Sequence, residues 1–258
     1  MHTVRREFLD LNRLQVSARL LAARLLPIEP RSGWSDRQTH LARLDREAGV
    51  LERAYRAVAA DVHRGEAVSP AAEWLLDNFH LIASEVRSIH QDVPRGYYRR
   101  LPKVVSAEAR GAARVAIMAT DLIAYSDGRL DAERLRGFVL AFQSVAPLTI
   151  GELWAWPSML KAALVSHASA LSDGIRSARD EHARADAYLA ELDDTRRRHP
   201  TLLIGPDSGF PFIVRLLQRI REYGPHAAAV RAELDTWLAE RQMTPEDAIR
   251  VEGQREAA

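Results

Sequence analysis

Apolar residues recur along this chain at steps of three and four, which is the spacing of one face of an α-helix. Over residues 4–26, Phe8, Leu11, Leu14, Ala18, Leu21, Ala22 and Leu25 form such a stripe, with arginines between them. Pro27 and Pro30 stop it. The string Ser35-Asp36-Arg37-Gln38 fits a capping box for a second helix reaching about Arg64. Ser69-Pro70 opens a third helix, since serine caps and proline loses nothing at the first helical position. Its stripe is Leu75, Phe79, Ile82, Val86 and Ile89. A core Phe79 would make Phe79→Ala cost about 3–5 kcal/mol.

Pro94, Gly96 and Pro102 then predict a loop over about 92–105, with Tyr97 and Tyr98 inside it. Further helices follow at about 106–126, ended by Asp127-Gly128, and from a cap at Asp131 to about Ser144. A second capping box, Thr149-Ile150-Gly151-Glu152, opens a long helix to about Asp194, with Pro157 expected to kink it. Residues 196–209 hold Pro200, Gly205, Pro206 and Gly209 and form the clearest break. Helices at about 210–223, 226–241 and 245–256 complete the series, the last capped by Thr244-Pro245. That last helix has no stop signal before Ala258, so a truncated polypeptide is expected. The only β-like run is Thr201-Leu202-Leu203-Ile204. The expected fold is all-α: a bundle of about eight or nine helices in one or two subdomains. The expected segments are a hairpin at 1–66, a central domain at 67–195 and a helical segment at 196–258.

Composition narrows the function classes. The 258 residues suffice for a buried core. A net charge of +1 offers no basic excess for nucleic acid. The absence of cysteine removes disulfides and thiolate chemistry. No run of about 18 uncharged apolar residues predicts a transmembrane segment, and the opening MHTVRREFLDLNRLQ does not have the pattern of a signal peptide.

Catalytic and metal motifs are not evident. The chain has no Asp-x-Asp pair for a metal–diphosphate complex, no Gln-x-x-Arg-Trp element, no phosphate-binding glycine loop and no His-Glu-x-x-His. Glu73, Asp77 and His80 share a helical face and could bind a cation or act as acid and base. A solvated face opposite Phe79 accounts for the same pattern. Asp180, Glu181, His182 and Asp186 read as a solvated stretch among arginines. The aromatics are the more open candidates. Tyr97 and Tyr98 beside Arg95, and Trp154 and Trp156 flanking Ala155 just before Pro157, could stack on sugars or fill helix crossings. No catalytic residue and no metal ligand is assigned.

Three strings are distinctive beyond their period: Glu-Trp-Leu-Leu-Asp-Asn-Phe (Glu73 to Phe79), Pro-Arg-Gly-Tyr (Pro94 to Tyr97) and Pro-Leu-Thr-Ile-Gly-Glu-Leu-Trp (Pro147 to Trp154). With their surroundings from Ser69 to Val165, they resemble the region preceding the glycosyltransferase domain in bacterial cyclic β-1,2-glucan synthases. The resemblance implies a non-catalytic cytosolic portion of a large inner-membrane protein. The parent would use UDP-glucose and a divalent cation, whereas this chain would hold no cofactor itself. Its partners would be the downstream glycosyltransferase and membrane domains. A free-standing carbohydrate- or nucleotide-sugar-binding module is the alternative, and the oligomeric state stays open.

Overall fold

The structure is a computed structural model that describes residues 8–25, 27–28, 40–65, 68–104, 111–193, 204 and 208–257. Among them are ten α-helices: α1 (Leu11–Arg24), α2 (His40–His63), α3 (Pro70–Asp92), α4 (Arg95–Arg100), α5 (Arg114–Ser126), α6 (Ala132–Gln143), α7 (Ile150–Asp193), α8 (Phe210–Arg219), α9 (Ala228–Glu240) and α10 (Pro245–Ala257). A 3₁₀ stretch, Ile220–Ala227, follows α8. The all-α expectation holds. Two strands of two residues, β1 (Pro27–Ile28) and β2 (Lys103–Val104), pair antiparallel, with Pro27 opposite Val104. The proposed cap at Ser35 and most of the run Thr201 to Ile204 lie outside the described residues.

The chain divides into two compact units, each drawn from two stretches: Met1–Ala57 with Asp77–Ser172, and Val58–Leu76 with Asp173–Ala258. Each unit combines an earlier and a later stretch of the chain.

In the first unit, α1 packs along α6. Leu14, Ala18, Leu21 and Ala22 of α1 meet Phe138, Ala141 and Phe142 of α6, and Met118 and Leu122 of α5, in one buried cluster. Of the stripe read from the sequence, Leu14, Ala18, Leu21, Ala22 and Leu25 are buried, Leu11 is half-buried and Phe8 stays 49% exposed. Asp10 caps α1 by accepting from the Arg13 N–H at 2.9 Å. Asp131 does the same for α6 through the Arg134 N–H at 2.7 Å. Arg134 is itself buried, and its guanidinium donates to the Leu9 carbonyl at 2.8 Å, tying the start of α1 to α6. Asp127 and Gly128 both adopt left-handed backbone after α5, as a helix stop requires.

Three expectations need correction. The segment around Tyr97 and Tyr98 is a helix, not a loop. Pro94 has the extended backbone of a helix cap, and Leu101 is extended because Pro102 follows it, so the two prolines delimit one short helix. This is the tenth helix, beyond the eight or nine expected. The helix expected from about 106 starts, within the described residues, only at Arg114. Gly111 has a left-handed φ of 79° and Ala113 bridges to Lys103, so residues 111–113 are not helical. Phe79 is half-buried rather than core; its ring stacks on Tyr55 with centroids 4.4 Å apart. Phe79→Ala is then expected to cost about 1–2 kcal/mol.

The second unit is built around Tyr188 and Leu189 of α7, Phe212, Ile213 and Leu216 of α8, and Leu234, Trp237 and Leu238 of α9. Phe210 meets Trp237 edge to face at 5.5 Å. The end of α2 is fixed in this unit by Asp61, a buried carboxylate that accepts from Arg64 and Arg179. The cluster at 180–186 is more than a solvated face. Asp186 accepts from Arg215 at 2.8 Å and Arg219 at 2.9 Å, which locks α7 to α8. Burial pushes the Asp186 carboxyl upward, but its bonds to Arg215 and Arg219 outweigh that and hold it below the usual range. Burial, and then the charge of Arg215, lower the pKa of the neighbouring His182.

Candidate functional site

The Thr149 capping box forms as its spacing predicts. The Glu152 N–H donates to Thr149 Oγ1 at 3.2 Å, and the Thr149 N–H donates to Glu152 Oε2 at 2.9 Å. The sequence gives no sign of what else Glu152 does. Arg114, the first residue of α5, donates to it twice, from Nε at 2.8 Å and Nη2 at 2.7 Å. Both side chains are out of solvent, at 2% and 0% exposure. Nη2 also donates to the Pro147 carbonyl at 2.8 Å. The starts of α5 and α7 are therefore joined by a paired charge in the interior. The pair ties together two helix starts that lie 38 residues apart in the chain.

Beside this anchor the first turns of α7 approach the end of α3 and the start of α4. They form an open cleft of about 660 Å3 lined by Gln91, Asp92, Pro94, Tyr97, Ile150, Gly151, Trp154, Pro157 and Ser158. The Tyr97 hydroxyl donates to the Gly151 carbonyl at 2.5 Å, fixing its ring in the wall. Burial raises the pKa of that hydroxyl. Ser158 is buried, and its hydroxyl donates to Asp92 Oδ2 at 3.3 Å. Ser88 donates to the same oxygen at 3.2 Å. Trp154 stands out of this wall with 78% of its surface exposed.

The candidates named from the sequence separate here. Tyr97 and Trp154 share the cleft. Tyr98 points into the core, where its hydroxyl accepts from the Ala113 N–H at 3.2 Å and its ring lies under the Lys103 amine at 3.7 Å. Trp156 is half-buried and packs against the α1–α6 cluster. Arg95, Glu73 and Asp77 are exposed and do not line the cleft. Gln91, Asp92 and Ser158 were missed. No local pattern marks them, because their meeting is made by tertiary packing between 91–97 and 150–158. Among the described residues no three His, Asp or Glu side chains gather as a metal site would need.

Comparison with known proteins adds the remaining evidence. No family profile matches the chain. Over 210 residues it is 32% identical to the cyclic β-(1,2)-glucan synthase NdvB of Rhizobium meliloti (strain 1021). The chain is similar to a part of that synthase. The match covers 79% of this chain but 7% of the synthase's length. The resemblance carried by Glu73–Phe79, Pro94–Tyr97 and Pro147–Trp154 thus belongs to a similarity extending over most of the chain. Within that similarity, the residues that stand out structurally are those of the Arg114–Glu152 anchor and of the cleft beside it.

Proposed function

We infer that the chain is a non-catalytic helical module of a cyclic β-(1,2)-glucan synthase-type protein, supporting assembly or regulation of a UDP-glucose-dependent glycosyltransferase. The observation that carries this reading is the match itself: most of this chain corresponds to a small share of a much longer synthase. Two structural facts support it. The carboxylates best spaced for acid–base work, Glu73 and Asp77, are exposed on α3. The buried Arg114–Glu152 pair of the first unit holds two helix starts together. None of the described helices is long and apolar enough to cross a membrane. In this reading the transferase chemistry, its UDP-glucose and its divalent cation belong to other parts of the parent protein. The module would work on the cytosolic face of the inner membrane.

Two measurements test it. Purified chain incubated with UDP-glucose and Mg2+ is expected to form no UDP above the buffer rate; turnover would overturn the non-catalytic assignment. Deleting the matched stretch from the Rhizobium meliloti synthase is expected to lower the amount of assembled enzyme in membranes. Full assembly and undiminished glucan synthesis after that deletion would overturn the supporting role.

A further inference from the structure

The cleft beside the Arg114–Glu152 anchor presents solvent-facing polar groups that no protein atom among the described residues engages. Asp92 Oδ2 is engaged by Ser88 and Ser158, but Oδ1 has no partner among the described residues. The Gln91 amide and the Trp154 indole N–H have none either. An acceptor, an amide that both donates and accepts, and an exposed indole thus line one cleft. That set matches a pyranose. Its hydroxyls supply and accept hydrogen bonds, while the C–H groups on one ring face meet the electron-rich face of an indole. Tyr97, pinned by its bond to Gly151, provides a second ring in the wall.

Charge selects among sugar ligands. The lining contains one carboxylate and no lysine or arginine. A diphosphate would meet an anion there with no cation to pair it, which disfavours a nucleotide sugar. The open shape suits a segment of chain passing across the site rather than an enclosed monosaccharide.

We propose that the cleft formed by Gln91, Asp92, Tyr97, Trp154 and Ser158 binds a neutral gluco-oligosaccharide, with Trp154 as the stacking platform and Asp92 Oδ1 as the hydroxyl acceptor. The choice of a β-1,2-linked glucan as the ligand rests on the function proposed above; the sugar-binding character rests on the cleft alone. A module with this site would hold product chain near the enzyme that elongates it.

Calorimetry on the intact chain tests this with a linear β-1,2-gluco-oligosaccharide, a cello-oligosaccharide of equal length and UDP-glucose. Saturable heat with the β-1,2-linked ligand, at a Kd of about 0.1–1 mM, is expected. Trp154→Ala and Asp92→Asn should each weaken it about tenfold or more. Trp74→Ala, which removes an exposed tryptophan outside the cleft, should leave it unchanged. Circular dichroism of each variant should match the parent chain. If Asp92→Asn fails to fold, Gln91→Ala replaces it, with a weakening of the same sign expected. No heat with any saccharide would overturn the proposal. Preference for UDP-glucose or for the cello-oligosaccharide would also overturn it, as would unchanged binding by Trp154→Ala. A negative result here leaves the module reading standing, because that reading is tested by turnover and assembly, not by affinity for sugar.

Discussion

The chain contains two capping boxes of the same form in different surroundings. At the start of α7, Thr149 and Glu152 exchange backbone and side-chain bonds, and Glu152 is buried beneath Arg114. At the start of α10, Thr244 and Asp247 make the same exchange at 3.0 and 3.1 Å, on the surface. Arg250 reaches Asp247 one turn later. Local geometry is nearly identical, so the helix-starting contribution should be similar. The difference is what each acidic residue does beyond its own turn. Asp247 serves α10 alone, whereas Glu152 is also the counter-charge of a buried arginine that begins another helix.

The contrast is sharpest in Glu152→Ala. It leaves Arg114 as an unpaired buried cation and should destabilise the first unit by about 3–5 kcal/mol. Urea denaturation followed by circular dichroism measures this. A loss of less than 1 kcal/mol would mean that solvent reaches Arg114 and that the two boxes are equivalent. The double replacement Arg114→Met, Glu152→Met should recover most of that loss, since the cost of a broken pair is the charge left behind. A double variant no better than Glu152→Ala would show that the pair itself, rather than its neutralisation, holds α5 to α7. Next in size is Thr149→Ala, about 1–2 kcal/mol, because the donor it leaves lies in a part-buried site. Thr244→Ala should cost about 0.5–1 kcal/mol, the lower end of the capping range, on an exposed helix start.

The smallest effect is one of acid. Backbone and side-chain bonds from Thr244 hold the Asp247 carboxyl below its ordinary value. Such a group adds stability above its unfolded pKa, and that stability is lost as pH falls through the lowered folded pKa. Protection of the amides at the start of α10, measured against their intrinsic exchange rates, should therefore fall below about pH 4, and Asp247→Asn should remove that pH dependence. An unchanged pH profile in the variant would detach the effect from Asp247.

Much of this was legible in the sequence. The stripe Leu14, Ala18, Leu21, Ala22, the caps at Asp131, Thr149 and Thr244, and the stop at Asp127-Gly128 are all local signals, and local geometry obeys them. Burial of Glu152 was not legible, because Arg114 lies 38 residues away and nothing in either segment names the other. The Tyr97–Tyr98 segment was misread because prolines that usually mark a loop here mark the two ends of one helical turn and a half. Of the candidate site, Tyr97 and Trp154 could be named as aromatics able to stack on a sugar or fill a helix crossing. Their approach to each other, and to Asp92 and Ser158, depends on where α3, α4 and α7 meet, which periodicity does not encode.

The bond from Arg134 to the Leu9 carbonyl spans 125 residues, and it has a consequence for biosynthesis. The apolar stripe of α1 leaves the ribosome long before α6 exists to cover it. At ordinary elongation rates that interval is about 6–25 s. For that time Leu14, Leu21 and their neighbours form a sticky amphipathic segment without the cover that α6 supplies. Nascent-chain crosslinking should find α1 held by a chaperone until α6 has emerged, and then released.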